Sequence, residues 1–118
     1  MNRTVAMMEK RPWGGFKVIH SEEGTKVKIL EVQPGMRLSY QSHEHRMERW
    51  VIIQGEADVT IDGKETWHSR GDMVQIDRGQ KHRIANPGTA MLRIVEVQIG
   101  DYLEEDDITR YEDDFGRV

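Results

Sequence analysis

Apolar and polar residues alternate along most of this 118-residue chain. The clearest case is residues 56–62, where Ala57, Val59 and Ile61 are separated by charged or hydroxyl side chains. Because successive side chains of a strand point to opposite faces, this pattern predicts a strand with one exposed face. The same reasoning predicts further strands over residues 26–32, 37–41, 49–54, 64–68, 72–77, 82–86 and 91–98.

Turn signals separate these short segments. Pro34-Gly35, Gly55, Asp62-Gly63 and Asn86-Pro87-Gly88 all contain residues that favour turns, and Asp-Gly is typical of tight hairpins. Short strands with turns about every 8–12 residues favour an all-β sandwich or barrel. No long amphipathic helix is predicted, although residues 46–50 could form a single helical turn.

The length suits one domain with one hydrophobic core, since 36% of the residues are hydrophobic. We expect a single domain over residues 1–118, with an N-terminal arm or strand at 1–14 and an acidic segment at 101–118. Residues 104–114 contain seven acidic side chains. Their charge predicts a solvated surface segment or a short helix.

Charge and cysteine content exclude several classes of protein. The net charge is −4 and no basic stripe is present, so nucleic acid is not an expected partner. The absence of cysteine excludes disulfides and thiolate chemistry and fits a reducing compartment. No apolar run resembles a signal peptide or approaches the ~20 residues of a membrane span. We expect a cytoplasmic protein without a membrane partner.

Four residues could hold one metal ion: His43, His45, Glu48 and His82. On a strand, His43 and His45 would point to the same side. Glu48 would face the same pocket if the chain turns after Arg46, and a sandwich would bring His82 alongside. Imidazole nitrogens and a carboxylate oxygen are common ligands of first-row metal ions. Four such ligands leave positions open for water or substrate.

Glycines accompany these residues at regular distances. Two blocks carry the pattern: Gly35, His43, His45, Glu48 and Gly55 in the first, and Gly71, Gly79, His82 and Asn86 in the second. They resemble the paired motifs of the cupin superfamily, in which six residues also separate the glutamate from the following glycine. Asp77 stands where cupins usually carry proline, which affects the turn and not a ligand. The resemblance implies a cupin double-stranded β-helix, or jelly-roll, barrel.

A closer resemblance extends over about residues 9–118. Its segments are Arg11-Pro12-Trp13-Gly14, Val27-Lys28, Pro34-Gly35-x-Arg37-Leu38-Ser39, His45-Arg46-x-Glu48-x-Trp50, His82-Arg83-Ile84, Asn86-Pro87-Gly88, Glu96-Val97-Gln98-x-Gly100 and the acidic residues 102–117. In this order they resemble the C-terminal domain of type II phosphomannose isomerases, which is often fused to mannose-1-phosphate guanylyltransferase. The resemblance implies interconversion of mannose 6-phosphate and fructose 6-phosphate by a homodimer. It also implies a divalent metal, with zinc as first candidate before manganese, iron, nickel or cobalt.

Such an isomerisation needs an electrophile for the developing oxyanion, a base, and cations for the phosphate. Arg46 and Lys28 are the predicted catalytic residues, with Arg46 ranked first because it lies between two predicted ligands. The predicted substrate-binding residues are Gln41, Arg37, Arg83 and Arg110. The base stays open between a metal-bound hydroxide and a residue of the acidic segment.

The chain departs from the family pattern in two respects. Arg49 stands where members usually carry histidine. The Gly-rich phosphate loop of the nucleotidyltransferase domain is absent from the sequence, so guanylyl transfer is not expected. Two alternative functions stay open: a non-enzymatic cupin that holds a sugar or small acid, and another metal-cupin enzyme such as an oxygenase.

Overall fold

The alternating segments form eleven antiparallel strands in the computed structural model, which describes residues 7–118. The strands are β1 (Glu9–Arg11), β2 (Gly14–Glu22), β3 (Thr25–Val32), β4 (Tyr40–Ser42), β5 (Arg46–Gln54), β6 (Ala57–Ile61), β7 (Lys64–His68), β8 (Met73–Ile76), β9 (His82–Ala85), β10 (Leu92–Gly100) and β11 (Thr109–Glu112). The described residues contain no helix that could cross a membrane. The predicted all-β fold is confirmed.

Two sheets enclose the core. The first has six strands in the order β1-β2-β3-β10-β5-β8, and the second has five in the order β11-β4-β9-β6-β7. Apart from the pair β6 and β7, neighbouring strands of the second sheet come from distant parts of the sequence, as in a jelly roll, which packs two antiparallel sheets face to face. The hairpin predicted at Asp62-Gly63 joins β6 to β7, and both of its residues have positive φ angles, 47° and 82°.

The inward-facing side chains are apolar at one end of the barrel and polar at the other. At one end, Val32, Ile52, Val59, Leu92 and Ile94 are fully buried and form the centre of the hydrophobic core. At the other end, the same strands carry polar inward residues, because alternation continues along each strand. On β10, for example, Leu92 and Ile94 are followed on the same face by Glu96 and Gln98.

Two local predictions need correction. Residues 46–50 are not a helical turn, since Arg46 begins β5 and pairs with Gly100 of β10. This earlier start places Arg46 and Glu48 on the buried face of the strand. Residues 101–118, called here the C-terminal segment, contain the strand β11 and no helix, whereas the predicted surface position agrees with the structure, since every residue of the segment except Asp107 is exposed or half-buried. Residues 1–6 of the predicted N-terminal arm lie outside the described part, while β1 pairs with β2 of the same chain.

Candidate metal centre and cationic cavity

Three of the four predicted metal ligands meet at the polar end of the barrel. Glu48 lies on β5, His82 begins β9, and His43 follows the end of β4. One ligand atom from each residue lies within 4.8 Å of the other two, and all three side chains are buried. His43 Nε2 is 3.2 Å from Glu48 Oε2, and His82 Nε2 is 4.0 Å from Glu48 Oε1.

Backbone carbonyl groups fix the orientation of both imidazoles. His43 Nδ1 lies 2.7 Å from the carbonyl oxygen of Asp107, and His82 Nδ1 lies 2.9 Å from that of Gln80. A carbonyl can only accept a hydrogen bond, so each Nδ1 carries the proton and each Nε2 presents a lone pair. The buried Nε2 of His82 has no hydrogen-bond partner among the described residues. These features fit a divalent cation, for which two imidazoles and a carboxylate are suitable ligands.

The protonation states also suit a metal ion, which requires neutral imidazoles and an ionised carboxylate. Burial lowers the pKa of His43 to about 4, because the charged imidazolium would lose its hydration. Burial alone would raise the pKa of Glu48, but its interactions with His82, Arg46 and His43, including the ion pair with the Arg46 guanidinium, outweigh this effect and hold it well below its ordinary value. The second oxygen of Glu48, Oε1, is bound by the indole N–H of Trp50 at 2.9 Å.

Arg46 lies directly against two of these ligands. Its Nε donates to Glu48 Oε2 at 2.8 Å, and its Nη2 lies 3.1 Å from His43 Nε2. Since Nδ1 of His43 carries the proton, Arg46 binds the same lone pair that a metal ion would use. Metal binding therefore requires the Arg46 guanidinium to move away from His43.

The structure does not bring His45 into the cluster. Its side chain is 54% exposed, with Nδ1 3.7 Å from the carboxylate of Asp101. The predicted alternation fails here because β4 ends at Ser42 and β5 begins at Arg46, so residues 43–45 form a loop. The Asp107 carboxylate accepts hydrogen bonds from the backbone N–H groups of Glu44 and His45, which stabilises this loop.

A cavity that is open to solvent adjoins the three ligands. Predicted site residues Gln41, Lys28, Arg46 and Arg110 line it. Gln41 of β4 is paired with His82 of β9. Lys28 is buried, lies 4.2 Å from the centre of the Phe16 ring, and donates to Glu105 at 2.6 Å. The buried Nε of Arg110 has no hydrogen-bond partner among the described residues.

Two predicted substrate-binding residues lie outside this cavity. Arg83 follows His82 on β9 and therefore points to the opposite face, where it donates to the carbonyl oxygens of Leu38 and Glu112. Arg37 forms a bidentate ion pair with Asp114, with distances of 2.7 and 2.8 Å. Both arginines contact the C-terminal segment, and their predicted role in substrate binding stays a prediction.

Sequence reasoning missed three polar residues at this end of the barrel. Glu96 and Glu105 line the cavity, and Gln98 donates to Glu96 at 2.5 Å. Burial and the neighbouring charge of Glu48 raise the pKa of Glu96 to about 7. The alternation of inward and outward positions along a strand could have identified two of them, because Glu96 and Gln98 occupy inward positions that the pattern of residues 91–98 predicts.

The fold and this donor set define the class of the protein as a cupin, a double-stranded β-helix barrel. The cupin domain of Cnp3 from Schizosaccharomyces pombe superposes with a TM-score of 0.71 at 20% identity, covering 74% of this chain and 64% of that domain. CapF, a capsular polysaccharide assembling protein of Staphylococcus aureus, superposes with a TM-score of 0.78 at 17% identity, covering 93% of this chain and 35% of CapF.

The chain belongs to the family described as "Mannose-6-phosphate isomerase C-terminal", whose model matches residues 2–113. Among curated relatives, a mannose-1-phosphate guanylyltransferase, ManC, of Salmonella typhimurium is 44% identical over 92% of the chain. The alginate biosynthesis protein AlgA of Pseudomonas aeruginosa is 45% identical over the same share. The chain spans 22% of the length of each.

These relatives overturn the predicted function. The expected activity was isomerisation of mannose 6-phosphate, but relatives at 44% identity in Salmonella typhimurium and Escherichia coli are named mannose-1-phosphate guanylyltransferases. That name describes nucleotidyl transfer and not aldose–ketose isomerisation. The relatives are enzymes, which supports the coarser expectation of an enzyme of carbohydrate metabolism. Neither of the two alternative functions is favoured by these names.

Proposed function

We propose that this chain is the metal-binding and mannose-phosphate-binding domain of an enzyme of the mannose-1-phosphate guanylyltransferase kind. The observation that carries the proposal is the position of the unpartnered His82 Nε2 and its two neighbouring ligands beside a cavity lined with cations. A metal ion and a phosphorylated sugar would then meet in one place. Guanylyl transfer itself is not assigned to the residues of this chain.

In this proposal His43, Glu48 and His82 hold the ion, and Gln41 supplies a further oxygen ligand. The pairing of Gln41 with His82 supports this role, since it brings the carboxamide to the same cavity. Zinc is the first candidate, and manganese, iron, nickel and cobalt also accept nitrogen and oxygen ligands. When bound, the ion would act as a Lewis acid on an oxygen of the ligand.

The phosphate group would bind the cations that line the cavity. Arg110 supports this assignment most directly, because its buried Nε lacks a partner in the described structure and a guanidinium binds phosphate in a fixed geometry. Lys28 adds a second buried positive charge on the inward face of β3. Assembly as a homodimer, expected from the sequence, remains a prediction.

Calorimetric titration of the zinc-loaded protein with mannose 1-phosphate, mannose 6-phosphate and mannose tests this function. We expect both phosphates to bind at least about tenfold more tightly than mannose, since hydrogen bonds between charged groups contribute roughly 1.5–3 kcal/mol. The variant Arg110→Gln should lose most of this preference. Arg49→Gln is the matched control, because Arg49 is exposed and does not line the cavity.

Two results would contradict the proposal. One is equal affinity for mannose and its phosphates. The other is phosphate binding that persists unchanged in the metal-free protein and in Arg110→Gln, since neither the ion nor the cavity arginine would then contribute.

A further inference from the structure

The ion pair between Lys28 and Glu105 at the cavity joins two side chains with very different surroundings. Lys28 Nζ lies 2.6 Å from Glu105 Oε1, yet the two side chains are 5% and 61% exposed. Lys28 is fixed, because β3 lies between β2 and β10 in the first sheet and the ammonium packs over Phe16. A buried ammonium without an anion is strongly unfavourable, so this position always requires a negative partner.

Glu105 is the replaceable member of the pair. It lies between β10 and β11, outside the regular strands, and most of its side chain already contacts solvent. If its carboxylate leaves Lys28, it regains full hydration at small expense, as exposed carboxylates generally do. The Lys28 side chain, by contrast, is only 5% exposed.

The other charges of the cavity also favour an incoming anion. Five basic residues line it, against three acidic ones: Arg11, Lys28, Arg46, Arg110 and Arg117, and Glu48, Glu96 and Glu105. Glu48 is bound to Arg46, and Glu96 is bound by the Gln98 amide. Departure of Glu105 would therefore leave Lys28 and Arg110 as two cations that line the same cavity, and such a pair of positive charges suits a phosphate group.

We propose that Glu105 occupies the position of the ligand's phosphate group and is displaced when a phosphate monoester binds Lys28. This proposal rests on the proposed function and adds a residue to it: Glu105 competes with the ligand instead of contacting it. The competition makes the affinity for phosphate lower than it would be with the cations alone. In the absence of ligand, the carboxylate of Glu105 balances the positive charge of Lys28.

The test compares the zinc-loaded wild type with Glu105→Gln and Glu104→Gln by calorimetry, using inorganic phosphate and mannose 1-phosphate. Both variants remove one negative charge, but Glu104 is exposed and does not line the cavity. We expect Glu105→Gln to bind both ligands about three- to tenfold more tightly than wild type, and Glu104→Gln to bind within about twofold. In the double variant Lys28→Met/Glu105→Gln the gain should disappear.

The outcomes separate this proposal from the proposed function. If wild type binds mannose 1-phosphate and Glu105→Gln binds it no more tightly than Glu104→Gln, Glu105 does not compete and only the present inference fails. Weaker binding by Glu105→Gln would also overturn it, since Glu105 would then support the ligand. If no variant binds either phosphate, both proposals fail.

Discussion

At the scale of single residues, the site shows which side chains a sequence can assign to a metal. His43, Glu48 and His82 were predicted as ligands and lie together, but His45 is exposed on a loop. The error came from extending strand alternation through residues that contain no strand. Glu96 was missed for the opposite reason: it does lie on a strand, at an inward position, but no ligand motif contains it.

Replacing His82 tests the metal centre at this scale. The variant His82→Ala should bind zinc at least about 100-fold more weakly, because loss of a ligand should exceed the 10–100-fold effect typical of a lost supporting hydrogen bond. His45→Ala should bind within about twofold of wild type. Competition with a chromophoric chelator measures both affinities. Equal losses in the two variants would place His45 among the ligands after all.

Glu96 gives a pH-dependent prediction for the metal-free protein. Its pKa is raised from an ordinary value of 4.5 to about 7 by burial and by Glu48. The folded protein therefore binds this proton more tightly than the unfolded chain does. The stability that the protonated form contributes is present below about pH 4.5 and is lost as the pH rises to about 7.

The variant Glu96→Gln should remove this loss. Relative to wild type it should gain stability progressively between about pH 5 and pH 8, reaching on the order of 1–3 kcal/mol. Urea unfolding of both proteins across this range measures the difference, in which shared groups such as His43 cancel. A difference that stays constant with pH would mean that Glu96 titrates normally.

At the scale of elements, the C-terminal segment contacts the loop that joins β4 of the second sheet to β5 of the first, and this loop contains the ligand His43. Asp107 serves twice: its carbonyl orients His43, and its carboxylate binds the loop at Glu44 and His45. The eight strands β3–β10 were predictable from alternation and turn residues, whereas β2 and β11 were not predicted. The path of this segment was not, because its contacts are polar and join residues more than 60 positions apart.

Asp107→Ala tests the coupling between this segment and the loop. Loss of an acceptor for two backbone N–H groups should lower the free energy of unfolding by about 1–2 kcal/mol. Zinc affinity should fall by less than about tenfold, since the carbonyl that orients His43 remains. The control Glu104→Ala, at an exposed position of the same segment, should change both quantities little. An unchanged stability in Asp107→Ala would show that the loop does not depend on this carboxylate.

At the scale of the whole molecule, the centre of the hydrophobic core and the candidate metal ligands lie at different ends of the barrel. The apolar end contains the core, and the polar end contains the ligands and the cavity. This difference between the two ends is visible in the sequence, where the inward residues of β10 change from Leu92 and Ile94 to Glu96 and Gln98. Hydrophobic periodicity predicts the faces of such a strand, but it does not predict what a polar inward position binds.

This separation predicts independent effects of substitution at the two ends. Ile94→Val, in the fully buried core, should lower the free energy of unfolding by about 0.5–1.5 kcal/mol. Its zinc affinity should equal that of wild type. Chemical unfolding of the metal-free protein and zinc titration measure the two quantities. A parallel loss of metal affinity would show that packing at the apolar end is transmitted to the site.

The two carbonyl groups that orient His43 and His82 have a consequence for how this protein can change. They belong to the main chain of Asp107 and Gln80, and every amino acid carries the same group. Substitution at position 80 or 107 therefore cannot delete the hydrogen-bond acceptor; only a shift of the backbone can. The choice of imidazole tautomer is protected against point mutation, and it leaves no trace in the identity of any side chain.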